Sequence, residues 1–274
     1  MIIIDSAGLS EIGKKRRDNE DRMLVNDTLQ LYAVADGMGG HQAGEVASQM
    51  ALDTLQTYFQ NPGKSDPQVS RASGRRLSEK ANDLLRGIRL SNCKVHEASR
   101  ANSAHRGMGT TVAAVCFTDD TIIAANVGDS TIHLIRNDEI TLLSVTHTLL
   151  AEQAAIDEEF AERLGGELGH VLTRAIGTRA EVKIDVSEME CFPEDIFVIS
   201  SDGLTNKATP AEIKAIVNSE APRKACRRLI DLANDRGGDD NITAVVAKVK
   251  RVTPGKRRFA GKWRILFDRL KRIR

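Results

Sequence analysis

Four aspartates stand beside glycine in this chain, each where a short β-branched run ends or begins: Asp36-Gly37 after Leu31–Ala35, Gly128-Asp129 after Thr121–Asn126, Asp202-Gly203 after Ile196–Ser200, and Gly238-Asp239-Asp240 before Ile242. Taken singly, each reads as a turn, because Asp bonds its own backbone and Gly accepts positive φ. Taken together they constrain the fold. Apolar strands that each deliver a carboxylate at one end can gather those carboxylates at one rim of a sheet.

Further strand patterns fall at Thr110–Phe117, Thr131–Ile135, Ile140–Val145, Val182–Val186 and Ile242–Val249. Helical spacing runs over about 44–59, through Val46, Met50, Leu55 and Phe59, and over about 77–100, through Leu77, Leu84, Leu85, Ile88 and Val95. Thr209-Pro210-Ala211-Glu212 has the residues of a capping box with proline at the first helical position, and Pro222 opens another apolar-periodic run. Strands therefore come in consecutive runs with helices inserted in two groups. That order predicts an α+β fold with antiparallel sheet rather than a βαβ array. Asn61–Arg76 reads as a surface loop between the first two helices.

Hydrophobic residues make up 41% and charged residues 28% of the 274, which excludes a wholly disordered, collagen-like or membrane-embedded chain. No segment approaches the roughly 18 apolar residues of a transmembrane helix, and no basic leader precedes Ile2-Ile3-Ile4, so a cytoplasmic protein is expected. The four cysteines are widely spaced, with no Cys-x-x-Cys pair, and read as reduced thiols. Charge is unevenly distributed. Residues 248–274 hold twelve Lys or Arg against Asp268, a net of +11, so residues 1–247 carry −10 within the overall +1.

Clustered carboxylates repel one another, and proton sharing or divalent cations relieve that repulsion. An all-oxygen set without Cys suits hard ions such as Mg²⁺ or Mn²⁺. Two such ions about 3.5–4 Å apart can polarise a bridging water and clamp a phosphoryl group. Glu20 and Asp21 add carboxylates near the N-terminus, and Arg16 with Arg17 could bind phosphate oxygens. Nucleotide and serine-nucleophile readings fail: Gly63-Lys64-Ser65 has Tyr58 where a phosphate-binding loop needs glycine, and no Gly-x-Ser-x-Gly elbow is present.

Arg16-Arg17-Asp18-Asn19-Glu20-Asp21, Asp36-Gly37-Met38-Gly39-Gly40, Gly109-Thr110-Thr111, Asn126-Val127-Gly128-Asp129-Ser130, Leu172-Thr173-Arg174-Ala175-Ile176-Gly177, Ser201-Asp202-Gly203-Leu204 and Asp239-Asp240-Asn241-Ile242-Thr243 occur in order. Over about residues 5–249 this resembles the metal-dependent type 2C protein serine/threonine phosphatases, in their bacterial branch. The resemblance implies a four-layer αββα sandwich, two central antiparallel sheets flanked by helices, with a binuclear metal centre at one end. It implies two Mn²⁺ or Mg²⁺ ions per chain and a weaker third. By that resemblance Asp36 bridges both metals and Gly37 offers its carbonyl to the second, while Asp202 and Asp240 bind the first. Glu20 would hold metal-bound water, Asp21 would orient the attacking water or act as its base, Arg16 would bind phosphate, and Asp129 would help bind the third ion with Asp202. Arg17 would be a solvated neighbour.

Two positions depart from the family. Met38 stands where some members have a histidine acid, and a thioether cannot donate a proton; His41 is a weak alternative. Thr146 precedes His147-Thr148 where aspartate is common. Leu149–Gly169 would be the flap, and its Glu152, Asp157, Glu158, Glu159, Glu162 and Glu167 form either a solvated face or a selector for basic substrates.

The expected activity is hydrolysis of phosphoserine and phosphothreonine in phosphorylated proteins, opposing a cognate Ser/Thr kinase. The alternative is a catalytically weak phosphoprotein-binding module whose basic tail docks a membrane or partner. The expected division is a catalytic domain over 1–250 and a tail over 251–274. In that tail Trp263, Leu266, Phe267, Leu270 and Ile273 recur at helical spacing among cations, a basic amphipathic pattern. Residues 254–274 could dock the inner membrane surface or a protein, or pack back on the acidic body. Nucleic acid is disfavoured, because the aromatic residues are not laid out for base stacking.

Overall fold

The computed structural model describes residues 2–39, 43–61, 77–157 and 169–253. The expected loop over 62–76, His41, the flap acids Glu158, Glu159, Glu162 and Glu167, and the tail over 254–274 lie outside the described residues.

Two antiparallel sheets face each other. One has the order β1 (Ile2–Glu11), β11 (Ile242–Val252), β10 (Ile196–Ser200), β7 (Thr131–Arg136), β8 (Glu139–Leu142). The other runs β2 (Asp21–Asn26), β3 (Leu31–Met38), β5 (Val112–Phe117), β6 (Thr121–Val127), β9 (Asp185–Glu190), with the short β4 (Gly109–Thr110) paired to β3. Tyr32, Val34, Val115, Ile132, Phe197 and Val245 fill the space between the sheets. There Phe117 meets Tyr32 edge-on at 5.6 Å and Phe197 at 5.2 Å, a geometry that suits the ring quadrupoles.

The residues alternating with these face outward onto helices. Leu31, Ala33 and Ala35 of β3 bury against α1 (Ala43–Gln60) and α2 (Glu79–Ala101). Val198, Ala244 and Val246 bury against α5 (Pro210–Ser219) and α6 (Pro222–Asp235). Helices on both outer faces complete the expected αββα order, and strands covered on both faces read as continuous apolar runs. The Thr209 hydroxyl and the Glu212 carboxylate cap α5 reciprocally, as the spacing predicts.

Two strand expectations are corrected, and two strands were not expected. The Val182–Val186 pattern is shifted, because pairing of Asn126 with Asp185 and of Thr121 with Glu190 sets β9 at Asp185–Glu190; Val182 and Ile184 still pack on the helix-side core. The Ile140–Val145 pattern stops at Leu142, since the Ile132 amide then donates to Ser144 Oγ at 3.0 Å in place of a ladder carbonyl. No pattern predicted β1 or β2. Both edge strands take their form from partners, β1 from a register running from Ile2↔Val252 to Glu11↔Ile242 and β2 from Asp21↔Asp36 to Asn26↔Leu31. Among the described residues no helix is long and apolar enough to cross a membrane.

Candidate metal centre

Asp36 and Gly37 do not form a turn; they continue β3, with Asp21 opposite Asp36 and Thr110 opposite Gly37. The glycine is needed for space. A Cβ on Gly37 would stand 2.1 Å from the carbonyl oxygen of Gly44 and 2.7 Å from that of Glu20, because the first turn of α1 presses onto the strand. That contact also fixes Glu20, whose carboxylate accepts from the Gly44 amide at the helix N-terminus. Thr111 holds Asp36 from the other side, accepting from its amide at 2.9 Å and donating its own amide to the Asp36 carbonyl at 2.8 Å.

Asp202 opens the one-turn helix α4 (Asp202–Thr205) directly after β10. A Cβ on Gly203 would lie 2.0 Å from the Asn241 carbonyl, so the two Asp-containing segments meet backbone to backbone. Asn241 stitches them to the N-terminal segment. Its Nδ2 donates to the carbonyls of Ile12 at 2.9 Å and Asp18 at 3.0 Å, and its Oδ1 accepts from the Glu20 amide at 2.8 Å. Arg16 Nη2 donates to Asp240 Oδ2 at 2.8 Å. Ser201 precedes α4 but does not cap it; its hydroxyl donates instead to Asp21 Oδ2 at 2.6 Å, joined by Thr243 Oγ1 at 2.7 Å.

Asp129 follows Gly128, whose φ of +102° is open to glycine and where a Cβ would strike Thr111 Cγ2 at 2.5 Å. His147 clamps this turn. Its Nδ1 accepts from the Gly128 amide at 3.0 Å, and its own amide donates to the Gly128 carbonyl at 3.1 Å. With Nδ1 accepting, Nε2 carries the proton toward Asp185 Oδ2 at 2.8 Å, and Arg174 Nη1 donates to the same oxygen at 2.6 Å. His147 and then Arg174 hold the Asp185 carboxyl at about 2. Thr148 caps α3 (Leu149–Ala154) through the Ala151 amide.

These segments surround one cleft of about 1040 Å³, lined by Arg16, Glu20, Asp36, Asp129, Asp202 and Asp240, with Gly37 and Met38. Asp21 lies behind its floor, 1% exposed. Arg17 is exposed and does not line it. Burial, then the charges of Asp21, Asp202 and Asp129, raises the Asp36 carboxyl well above the ordinary range. Burial raises Asp21 to about 7 and Asp129 to about 6, each with a further push from Asp202, and it raises Glu20 and Asp202 as well.

The residues fit hard cations. The clustered acidic side chains offer oxygen donors only, they disfavour one another's charge, and among the described residues Asp21 Oδ1 and Asp202 Oδ1 are buried with no hydrogen-bond partner. Among the described residues no three His, Cys, Asp or Glu side chains enclose an ion by themselves. An ion held here therefore completes its shell with backbone oxygen, water or substrate, as Mg²⁺ commonly does.

The sequence profile of the protein phosphatase 2C family matches residues 10–247. The chain belongs to the protein phosphatase 2C family. It is similar to the protein phosphatase PhpP of Streptococcus pneumoniae, with 32% identity over 246 residues, covering 88% of this chain and 96% of that protein. Its fold superposes on the Streptococcus agalactiae serine/threonine phosphatase with a TM-score of 0.78 at 32% identity, covering 90% of this chain and 100% of that one. It superposes on the catalytic domain of the phosphatase PstP, solved with two manganese ions, with a TM-score of 0.77 at 29% identity, covering 92% and 100%.

Sequence reasoning missed the residues that hold this family member's cleft together. Asn241 and Thr111 were visible only as letters in motifs. His147 and Arg174 were likewise visible only as members of quoted motifs, while Lys207, Arg179 and the exposed His170, which stands 3.7 Å from Asp202 Oδ2, line the cleft with no local signal.

Proposed function

We propose that this family member hydrolyses phosphoserine and phosphothreonine in proteins, reversing a Ser/Thr kinase, with two Mn²⁺ or Mg²⁺ ions and a weaker third. The observation that carries this reading is the convergence of Glu20, Asp36, Asp129, Asp202 and Asp240, from five places in the chain, on one cleft with Arg16 on its wall. Asp36, the Gly37 carbonyl, Asp202 and Asp240 would hold the two principal ions, with Glu20 beside them, and Asp129 with Asp202 the third. When bound, the ions supply Lewis-acid charge that polarises the phosphoryl oxygens and acidifies water.

The chain's own groups do the rest. Asp21, held by the Ser201 and Thr243 hydroxyls and raised to about 7, is able to take up a proton near neutrality, which suits a base or orienting group for water. Arg16 presents guanidinium N–H groups for phosphate oxygens, and its present partner Asp240 keeps it at the cleft wall. Met38, which lines the cleft, has no proton to give, so the leaving alkoxide is protonated by another donor.

The expected boundary after residue 250 falls inside β11, where Arg251 and Val252 pair with Ile3 and Ile2, so the catalytic unit in this reading runs through Val252. Residues 254–274 are the basic tail in this reading and dock an anionic membrane surface or an acidic partner in the cytoplasm; the support is the amphipathic pattern in the sequence. The deciding experiment is phosphate release from a phosphothreonine peptide with Mn²⁺, with Mg²⁺ and with excess chelator. Turnover that needs the metal and leaves no covalent phosphoprotein supports the reading. Full activity in chelator, or a trapped phosphoenzyme, overturns it.

A further inference from the structure

Among the described residues four Arg or Lys side chains and His170 line the cleft, and four of these five stand beside the chain's own carboxylates. Arg16 pairs with Asp240, Lys207 with Asp239, Arg174 with Asp185, and His170 stands beside Asp202. Arg179 is the exception. It lines the same cleft, is exposed, and has no ion-pair partner among the described residues.

The backbone under Arg179 is firmly held. Buried Asn92 of α2 donates through Nδ2 to the carbonyls of Arg179 at 3.0 Å and Ala180 at 3.1 Å, while its Oδ1 accepts from the Gly177 amide at 2.8 Å. Upstream, Ile176 and Thr110 exchange amide–carbonyl bonds at 2.8 and 3.1 Å. Gly177 sits at φ +86° with Val95 packed where a Cβ would go. The loop is thus fixed to α2 and β4 through its own backbone groups and the buried Ile176 side chain, and the Arg179 guanidinium is left without a carboxylate partner at the cleft edge among the described residues. Preorganised backbone with a free planar cation is an economical arrangement for reading an anion, since little ordering cost remains for the loop.

The acids expected to select basic substrates are engaged where they are described. Glu152 turns inward, accepting from Thr173 Oγ1 at 2.8 Å and standing 3.7 Å from Arg174. Among the described cations of the cleft, then, Arg179 is the one that no carboxylate of the chain engages.

We propose that Arg179 is a specificity-determining residue that reads a carboxylate of the substrate peptide, an Asp or Glu flanking the phosphorylated residue. This rests on the phosphatase reading above. Its test uses the full-length Mn²⁺-loaded enzyme and three phosphothreonine peptides alike except for flanks: glutamates on the N-terminal side, glutamates on the C-terminal side, or glutamines. One glutamate peptide is expected to show a KM about 5- to 10-fold below that of the glutamine peptide, with similar kcat and a gap that narrows at 0.5 M salt. Arg179→Ala should erase the gap by raising KM for that peptide alone, Arg179→Lys should keep part of it, and Arg179→Glu should invert it. Turnover of p-nitrophenyl phosphate should be unchanged in all three variants, which also shows that they fold. Equal KM values for the three peptides with wild type, or an Arg179→Ala change shared by all peptides, overturns the proposal while leaving the phosphatase reading intact. Absence of metal-dependent turnover on every substrate would instead remove the reading on which it rests.

Discussion

Asp195 and Asp21 are buried to the same degree, each 1% exposed, near opposite ends of β10. Asp195 receives Arg136 through Nη2 at 2.6 Å and Nε at 2.7 Å, and the Phe192 amide at 2.8 Å. Asp21 receives two hydroxyls and no cation, and its Oδ1 is left without a partner. The fold can therefore neutralise a buried carboxylate with a bidentate guanidinium when only stability is at stake. At the cleft end it holds several carboxylates whose pKa values are raised by burial and by each other. That imbalance costs folding stability and gives divalent cations a purpose there, the kind of local conflict expected at a functional site.

The sharpest break of this comparison is Asp36→Ala. It should lower kcat/KM on a phosphothreonine peptide with Mn²⁺ by about 1000-fold or more, while the chelated protein melts no lower than wild type, because a strained carboxylate has gone. Near-wild-type kinetics would sink the assignment. At the other end, Arg136→Ala strands a buried aspartate and should cost about 3–5 kcal/mol in urea unfolding, with activity per folded molecule retained. A loss under about 1 kcal/mol would show that the pair is not what neutralises Asp195.

Arg16→Ala should act on phosphate rather than on the fold, weakening kcat/KM by roughly 1.5–3 kcal/mol for a lost charged hydrogen bond. Mn²⁺ affinity, read by calorimetry, should stay largely unchanged; a collapse of metal binding would make Arg16 part of the metal scaffold instead.

The smallest effect is in pH. In chelated protein, Asp21 binds its proton more tightly folded than unfolded, so its contribution is full below about pH 4, the unfolded carboxylate value, and is lost as pH rises through about 7. Asp185, held at about 2, works the other way: its contribution is present above about pH 4 and lost as pH falls toward 2. Melting temperatures in chelator should therefore fall from pH 5 to pH 8, and Asp21→Asn should make that fall shallower. An identical slope in the variant would contradict the raised Asp21.

The sequence by itself determined the strand-rich α+β class, the long helices and the carboxylates at strand ends, because alternation, capping residues and Asp-Gly pairs act over a few residues. Ile196–Ser200 is read to the residue. The tertiary structure decided which end of each sheet those carboxylates share and why the glycines beside them are there. Arg16 and Asp240 are 224 positions apart, Ser201 and Asp21 180 apart, and only the register of β2 on β3 and of β1 and β10 on β11 brings them together. Gly37 and Gly203 read locally as turn residues, yet each is required by backbone carbonyls of other elements, Gly44 of α1 and Glu20 in one case and Asn241 in the other. Such contacts have no signature within a short window. Their cause is steric exclusion between segments that only the folded sheets press against each other.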